Sequence, residues 1–169
     1  MKENRVDYEI NSSTMAIRCA RHLEYQTMIM EPDRTCYSAH TPVKLINQAC
    51  LDKGSSYSGR LESARHKLCI YNKIPVLVDQ FEEIILFPTH SPSHIDNTWI
   101  SIDHYKKILP HTEKGKATVL FTNGERLTVN CSMSTFQRQY QRAATILIHE
   151  IHLPKKRMNL YLSMPPVRD

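Results

Sequence analysis

Gly54-Ser55-Ser56-Tyr57-Ser58-Gly59-Arg60 holds two of the chain's four glycines, three serines, a tyrosine and an arginine. Its glycines keep the G-x-x-x-x-G spacing of a phosphate-cradling loop, in which backbone N–H groups, a lysine and a Ser or Thr hydroxyl grip a nucleotide and its magnesium. Here the lysine and hydroxyl positions hold Arg60 and Leu61. The stretch also follows a helical pattern and leads toward a strand, whereas such a loop follows a strand and opens a helix. Both points argue against nucleotide binding. Two readings are left: a helix C-cap and turn, or a loop whose Ser55, Ser56 and Tyr57 hydroxyls, backbone N–H groups and Arg60 lie near nucleic-acid phosphates and fix register.

Cys19-x-x-His22 and Cys36-x-x-x-His40 supply ligand types that suit tetrahedral zinc. Both cysteines fall inside strand patterns, so the expectation is four single buried or solvated residues and no metal or other cofactor. Nine histidines are scattered through the chain, without a G-x-S-x-G elbow, an H-E-x-x-H pair or paired carboxylates. A hydrolase has no anchor here, and the protein is expected not to be an enzyme.

The cations are distributed more tellingly. Lys and Arg number 5 against 6 Asp and Glu in residues 1–40, 6 against 6 in residues 41–99, and 11 against 5 in residues 100–169. A one-ended basic surplus fits a polyanion-facing region as well as a solvated face. Arg138 and Arg142 stand i and i+4 on a helical pattern and would project together. Lys114, Lys116 and Arg126 belong to a neighbouring hairpin, and Lys155, Lys156 and Arg157 follow the helix. If these converge they form a surface for a phosphate backbone.

The elements that must position these residues read as α+β, a mostly antiparallel sheet with two main helices, over about 42–53 and 134–150. YEI, MAIRCA and EYQTMIM alternate like the strands of a small meander. Thr41 and Pro42 open the first helix, and Gly54 stands where a C-cap glycine belongs. KLCIY, IPVLVD and EIILFPT follow as short apolar strands, and TWIS begins another strand-like stretch. KATVLFTNGERLTVN is a hairpin whose Asn123-Gly124 suits a tight turn. Ser134 and Gln137 form a capping-box pair for the second helix, whose stripe is Phe136, Tyr140, Ala143 and Leu147. Residues 1–153 are read as one domain and residues 154–169 as a basic, then apolar, tail.

Apolar residues at 41% and charged residues at 23% are ordinary globular usage. Neither a secretory leader nor a run long enough to span a bilayer is visible. Five irregularly spaced cysteines suggest reduced thiols in the cytoplasm.

Three blocks, GSSYSGR, then residues 73–101 with P-x-L-V-D, L-F-P-T and W-I-S, then residues 121–143, resemble in order the ComK family of competence transcription factors. The resemblance runs from about residue 26 to residue 145. It implies a cytoplasmic, nucleoid-associated activator of competence (DNA-uptake) genes that binds double-stranded DNA at paired A/T-rich boxes, mainly through the minor groove. It also implies a homodimer that assembles further, and an adaptor protein that delivers the factor to a Clp protease. RMNLYLSMP resembles the adaptor-binding stretch, which places Met158, Leu160, Tyr161 and Leu162 in that role. Because the chain stops soon after this segment, the alternative expectation is a shortened regulatory paralogue acting through protein partners without productive activation.

Overall fold

Ile84 to Pro88 is buried at every position, the mark of a strand covered on both faces. In the computed structural model, which describes residues 7–164, it is β5 of a six-stranded sheet. The others are β1 (Ala16–Cys19), β2 (Thr27–Met30), β3 (Thr35–Ser38), β4 (Val76–Asp79) and β6 (Thr98–Ser101), in the order β3-β2-β1-β6-β5-β4. Every neighbouring pair is antiparallel. A second antiparallel sheet holds β7 (Tyr105–Pro110), β8 (Ala117–Phe121) and β9 (Arg126–Val129) in chain order. The α+β architecture with a dominant antiparallel sheet is as the sequence indicates.

Side chains alternate between two cores. Ile17, Ile29, Ile84, Leu86 and Trp99 pack toward α1 (Pro42–Asp52) with Leu45, Ile46 and Cys50. Ile85, Phe87 and Ile100 turn the other way, onto Val119, Phe121 and Leu127 of the second sheet and onto Phe136, Ala143 and Ile146 of α3 (Met133–Leu147). Phe87, Phe136, Tyr105 and Tyr140 form an aromatic knot there, with Phe87 and Phe136 edge to face at 5.2 Å. The six-stranded sheet is thus the middle layer between α1 and the second sheet with α3.

The glycine-serine stretch does more than bend. Gly54, at φ +89°, closes α1 with Gly54 N–H on Leu51 O and Ser55 N–H on Cys50 O, the paired bonds of a left-handed glycine cap. Ser56 then caps a further helix, α2 (Tyr57–Leu68), by accepting from Gly59 N–H at 3.0 Å. The sequence reading, which ran from this stretch toward a strand at KLCIY, is corrected: Lys67 and Leu68 end α2 and Cys69 stops it in the left-handed region. Only Ala64 of α2 is fully buried, so no apolar stripe advertised it.

Smaller corrections follow from caps and turns. Ser132, not Ser134, caps α3 by accepting from Thr135 N–H. The β8–β9 hairpin forms, but its turn runs over Thr122-Asn123, with Gly124 N–H on Phe121 O and Gly124 at φ +90°. That is a turn followed by a left-handed bulge glycine, one residue out of step with a two-residue Asn-Gly turn. After α3 the chain stays helical as far as Ser163. It widens into a π-helical stretch, Ile148–His152, and continues as α4 (Leu153–Ser163). Pro154 has no N–H to offer the carbonyl four residues back and its ring crowds that carbonyl. The freed Glu150 O instead accepts from Gln80 Nε2 at 3.2 Å.

Removing the α2 cap by Ser56→Ala is expected to cost about 1 kcal/mol, read as a lowered urea midpoint at unchanged slope. At the end of β4, burial would raise the Asp79 carboxyl, but the Lys53 ammonium at 2.9 Å and the Phe81 and Glu82 N–H groups hold it below its ordinary value. A depressed folded pKa contributes stability above the unfolded value of about 3.9, and that contribution is lost as pH falls through the folded one. Asp79→Asn should therefore flatten the acid limb of a Tm-against-pH curve; an unchanged limb would remove Asp79 from this role.

Candidate nucleic-acid interface

The expected cations occupy several surfaces. Arg126 opens β9 on the outer face of the second sheet, in a cross-strand row with Leu120 and Lys107. Lys106 and Lys107 are exposed where β7 carries a bulge. Lys114 and Lys116 lie in the β7–β8 loop at the opposite end of that sheet, roughly 10 Å along the strands, and Lys116 is paired with Glu113. Arg138 is exposed on α3. Arg142 does not project with it, because its Nη1 donates to Asn72 O at 2.7 Å and to Gln139 Oε1 at 3.0 Å.

Gln139 explains that turn inward. It is the buried polar residue of α3, and its Nε2 donates to Lys73 O and Pro88 O. Together Gln139 and Arg142 tie down the α2–β4 loop, where Lys73 sits at φ +47°. The period-of-helix stripe proposed from sequence missed Gln139 because it counted only apolar residues.

The remaining candidates divide similarly. Lys155 is paired with Glu83 of the β4–β5 turn, while Lys156 and Arg157 are exposed on α4. Met158, Leu160, Tyr161 and Leu162 are exposed on the same helix. Arg60 lies in the first turn of α2 with its Nε buried and without a partner among the described residues. Ser56 is committed to its cap, and the Tyr57 ring meets Trp99 edge-on at 6.4 Å inside the fold. The GSSYSGR stretch is therefore chiefly a joint between two helices.

One cleft was not foreseen. Where β1 ends, the face of the middle sheet that elsewhere packs on the second sheet carries a mixed row with a charge in it: Tyr37, Met28, Arg18 and Thr98 on four adjacent strands. These residues, Thr128 and Val129 of β9 and the following Asn130 enclose about 450 Å³, with Arg21, His22 and Asp96 at the mouth and the buried Asn97 in the lining. Arg18 is half-buried and has no ion-pair partner among the described residues. Burial and the nearby Arg21 both lower its guanidinium pKa from the ordinary value. Arg21 donates to Asp96 Oδ1 at 3.0 Å. The available signal was a charge at an inward-facing position of the short strand Ala16–Cys19.

Cys19 and His22 line this cleft, but Cys36 points to the opposite core, since its neighbour Tyr37 faces the cleft. Among the described residues no group of three or more His, Cys, Asp or Glu is placed to hold a metal. The His22 ring packs at a tilt on Tyr25 at 4.9 Å, and Tyr25 on Tyr37 at 5.5 Å.

Comparisons with known proteins agree with the resemblance and extend it toward both ends. Residues 5–152 match the family model described as ComK protein. Over 139 residues the chain is 32% identical to the competence transcription factor of Bacillus subtilis (strain 168), covering 81% of this chain and 71% of that relative. No solved structure matches. With most of its length matched on both counts, the chain belongs to the ComK family of competence transcription factors.

Proposed function

We propose that this chain is a DNA-binding transcription factor that engages paired A/T-rich boxes, reads mainly the minor groove, and activates competence genes for DNA uptake. The observation that carries this reading is the 32% identity to a competence transcription factor across most of both chains. In this reading the protein works in the cytoplasm, at the nucleoid, as a homodimer or higher homo-oligomer and not as an enzyme. Among the described residues no helix is long and apolar enough to cross a membrane.

The charge layout supports the same reading. Lys107 and Arg126 on the second sheet, Lys114 in its loop, Arg138 on α3 and Lys156 and Arg157 on α4 present exposed cations to solvent. A-tracts narrow the minor groove and deepen its negative potential, which favours arginines spread over a surface and needs no long basic recognition helix. Lys116, Lys155 and Arg142 would have to leave Glu113, Glu83 and the Asn72 carbonyl before touching a phosphate. They rank behind the free cations as contacts. Arg60 with Ser55, Ser56 and Tyr57 then supports the helix layer behind the DNA-facing surface.

A second reading is favoured by α4 alone. None of its residues is buried, and Met158, Leu160, Tyr161 and Leu162 are exposed together. Such a helix suits a protein partner, and an adaptor leading to a Clp protease is the partner that the family resemblance implies. A regulatory paralogue that works only through this helix would not need DNA.

Two measurements separate the readings. Anisotropy titrations of a duplex with two A/T-rich boxes against a G/C-rich duplex of equal length should show preference for the first, with log K falling steeply as salt rises. Equal weak binding to both would favour the partner-only paralogue. Deleting residues 158–169 should leave the DNA titration within about twofold while abolishing capture by a purified adaptor; lost DNA binding by the shortened but folded chain would place α4 in the DNA interface.

A further inference from the structure

The cleft beside Arg18 belongs to none of the surfaces considered above. A half-buried guanidinium is costly without a counter-charge, and no carboxylate pairs with Arg18 among the described residues. The groups around it are matched to an anion. Arg21 stands at the mouth, held only by an exposed single contact to Asp96, and such contacts are weak enough to exchange. Asn97 has already spent its Oδ1 on the His90 N–H, so its amide N–H groups are what it can offer the cleft. Thr128 of β9 and Asn130 just beyond it line the other wall.

β9 is an edge strand, and the cleft follows it. A second hollow of about 300 Å³ lies further along the same strands, between Met30–Thr35 and Glu125–Arg126. That end carries Glu31, Asp33 and Glu125 as well as Arg34 and Arg126, with Arg34 already bonded to Glu31 at 2.6 Å. A single anion is therefore favoured at the Arg18 end and not at the Arg126 end. The two hollows are separate but lie along the same strands, with the unpaired cation in the first, an arrangement that suits one phosphate of a longer chain more than an isolated small molecule.

We propose that the cleft between β1 and β9 seats a backbone phosphate of bound DNA, with Arg18 as its primary ligand and Arg21, released from Asp96, as its second. The proposal rests on the DNA-binding reading and assigns it a contact in the first forty residues, where net charge gave no hint. The planar guanidinium of Arg18 donates to the phosphate oxygens, and the anion replaces the counter-charge that the fold does not supply.

The test is a titration of the two-box duplex at several salt concentrations with wild type, Arg18→Gln, Asp96→Asn and, as a charge-matched control, Lys44→Gln on the far helix layer. Arg18→Gln should weaken binding by roughly tenfold or more and reduce the salt slope by about 0.9, the loss of one phosphate contact. Asp96→Asn should tighten binding by freeing Arg21, a gain that no unfolding artefact produces, so it decides the matter if Arg18→Gln folds poorly. Lys44→Gln should stay within about twofold. Arg18→Gln no weaker than Lys44→Gln, or Asp96→Asn without effect, would overturn the proposal. Tight binding of a free mononucleotide that Arg18→Gln abolishes, with duplex binding intact, would also overturn it by assigning the cleft to a soluble phosphate ligand. Failure of wild type to bind any duplex would instead sink the DNA-binding reading itself.

Discussion

A six-stranded sheet needs both faces covered, and this chain has unequal means of doing so. On one face α1 lies over Ile17, Trp99, Ile84 and Leu86 and closes the core. On the other, three short strands and α3 cover β4, β5 and β6 thoroughly but reach β1, β2 and β3 only in part. Met28, Met30 and Tyr37 are half-buried on that face, and Arg18 stands among them. The cleft follows from this shortage of covering layer. A fold of this size has too little second layer to be apolar everywhere, and the uncovered strip is where a mixed row with a charge in it can be tolerated.

Most of the middle layer could be read from the chain because its residues obey one period each. Ile84 to Pro88 and Val76 to Val78 are continuous apolar runs bounded by turn residues, and both lie in strands. The β8–β9 hairpin, α1 and α3 were legible for the same reason, one alternation or one stripe each, although the α3 cap and the hairpin turn were read out of place. Where two signals competed, the local one lost. Leu68-Cys69-Ile70-Tyr71 is apolar enough for a strand, yet α2 runs into it because Ser56 nucleates a helix three residues after Gly54 has ended another. A helix that buries only Ala64 leaves no periodic trace.

The interface was less legible than the fold, and the reason is physical. A count of cations along the chain shows how many there are but not which are already committed. Arg142 is a structural clamp on the Asn72 carbonyl, and Lys116 and Lys155 have carboxylate partners. Arg18 lies in a part of the chain with no basic surplus, and it becomes exceptional only when β1 pairs with β2 and β6 and the row Tyr37–Met28–Arg18–Thr98 forms. Commitment is a property of tertiary neighbours, so a count of charges along the chain could not tell which of them stay available to a ligand.

The same division shapes the C-terminal end. α3 is anchored by Phe136, Ala143 and Ile146 in the core and by Gln139 and Arg142 on the α2–β4 loop. Ile151 is the last buried side chain of the chain's described part. Beyond it Pro154 forces the π-helical widening, Gln80 takes the carbonyl that the proline leaves free, and α4 continues with every residue exposed. The helix is thus fixed at its root by Lys67 on Glu150 and Lys155 on Glu83 and free over its last two turns. An element held in direction but not packed against anything contributes little to stability, since its own propensity is marginal at this length. Its exposed Met158, Leu160, Tyr161 and Leu162 are better accounted for by what they meet outside the fold than by anything within it.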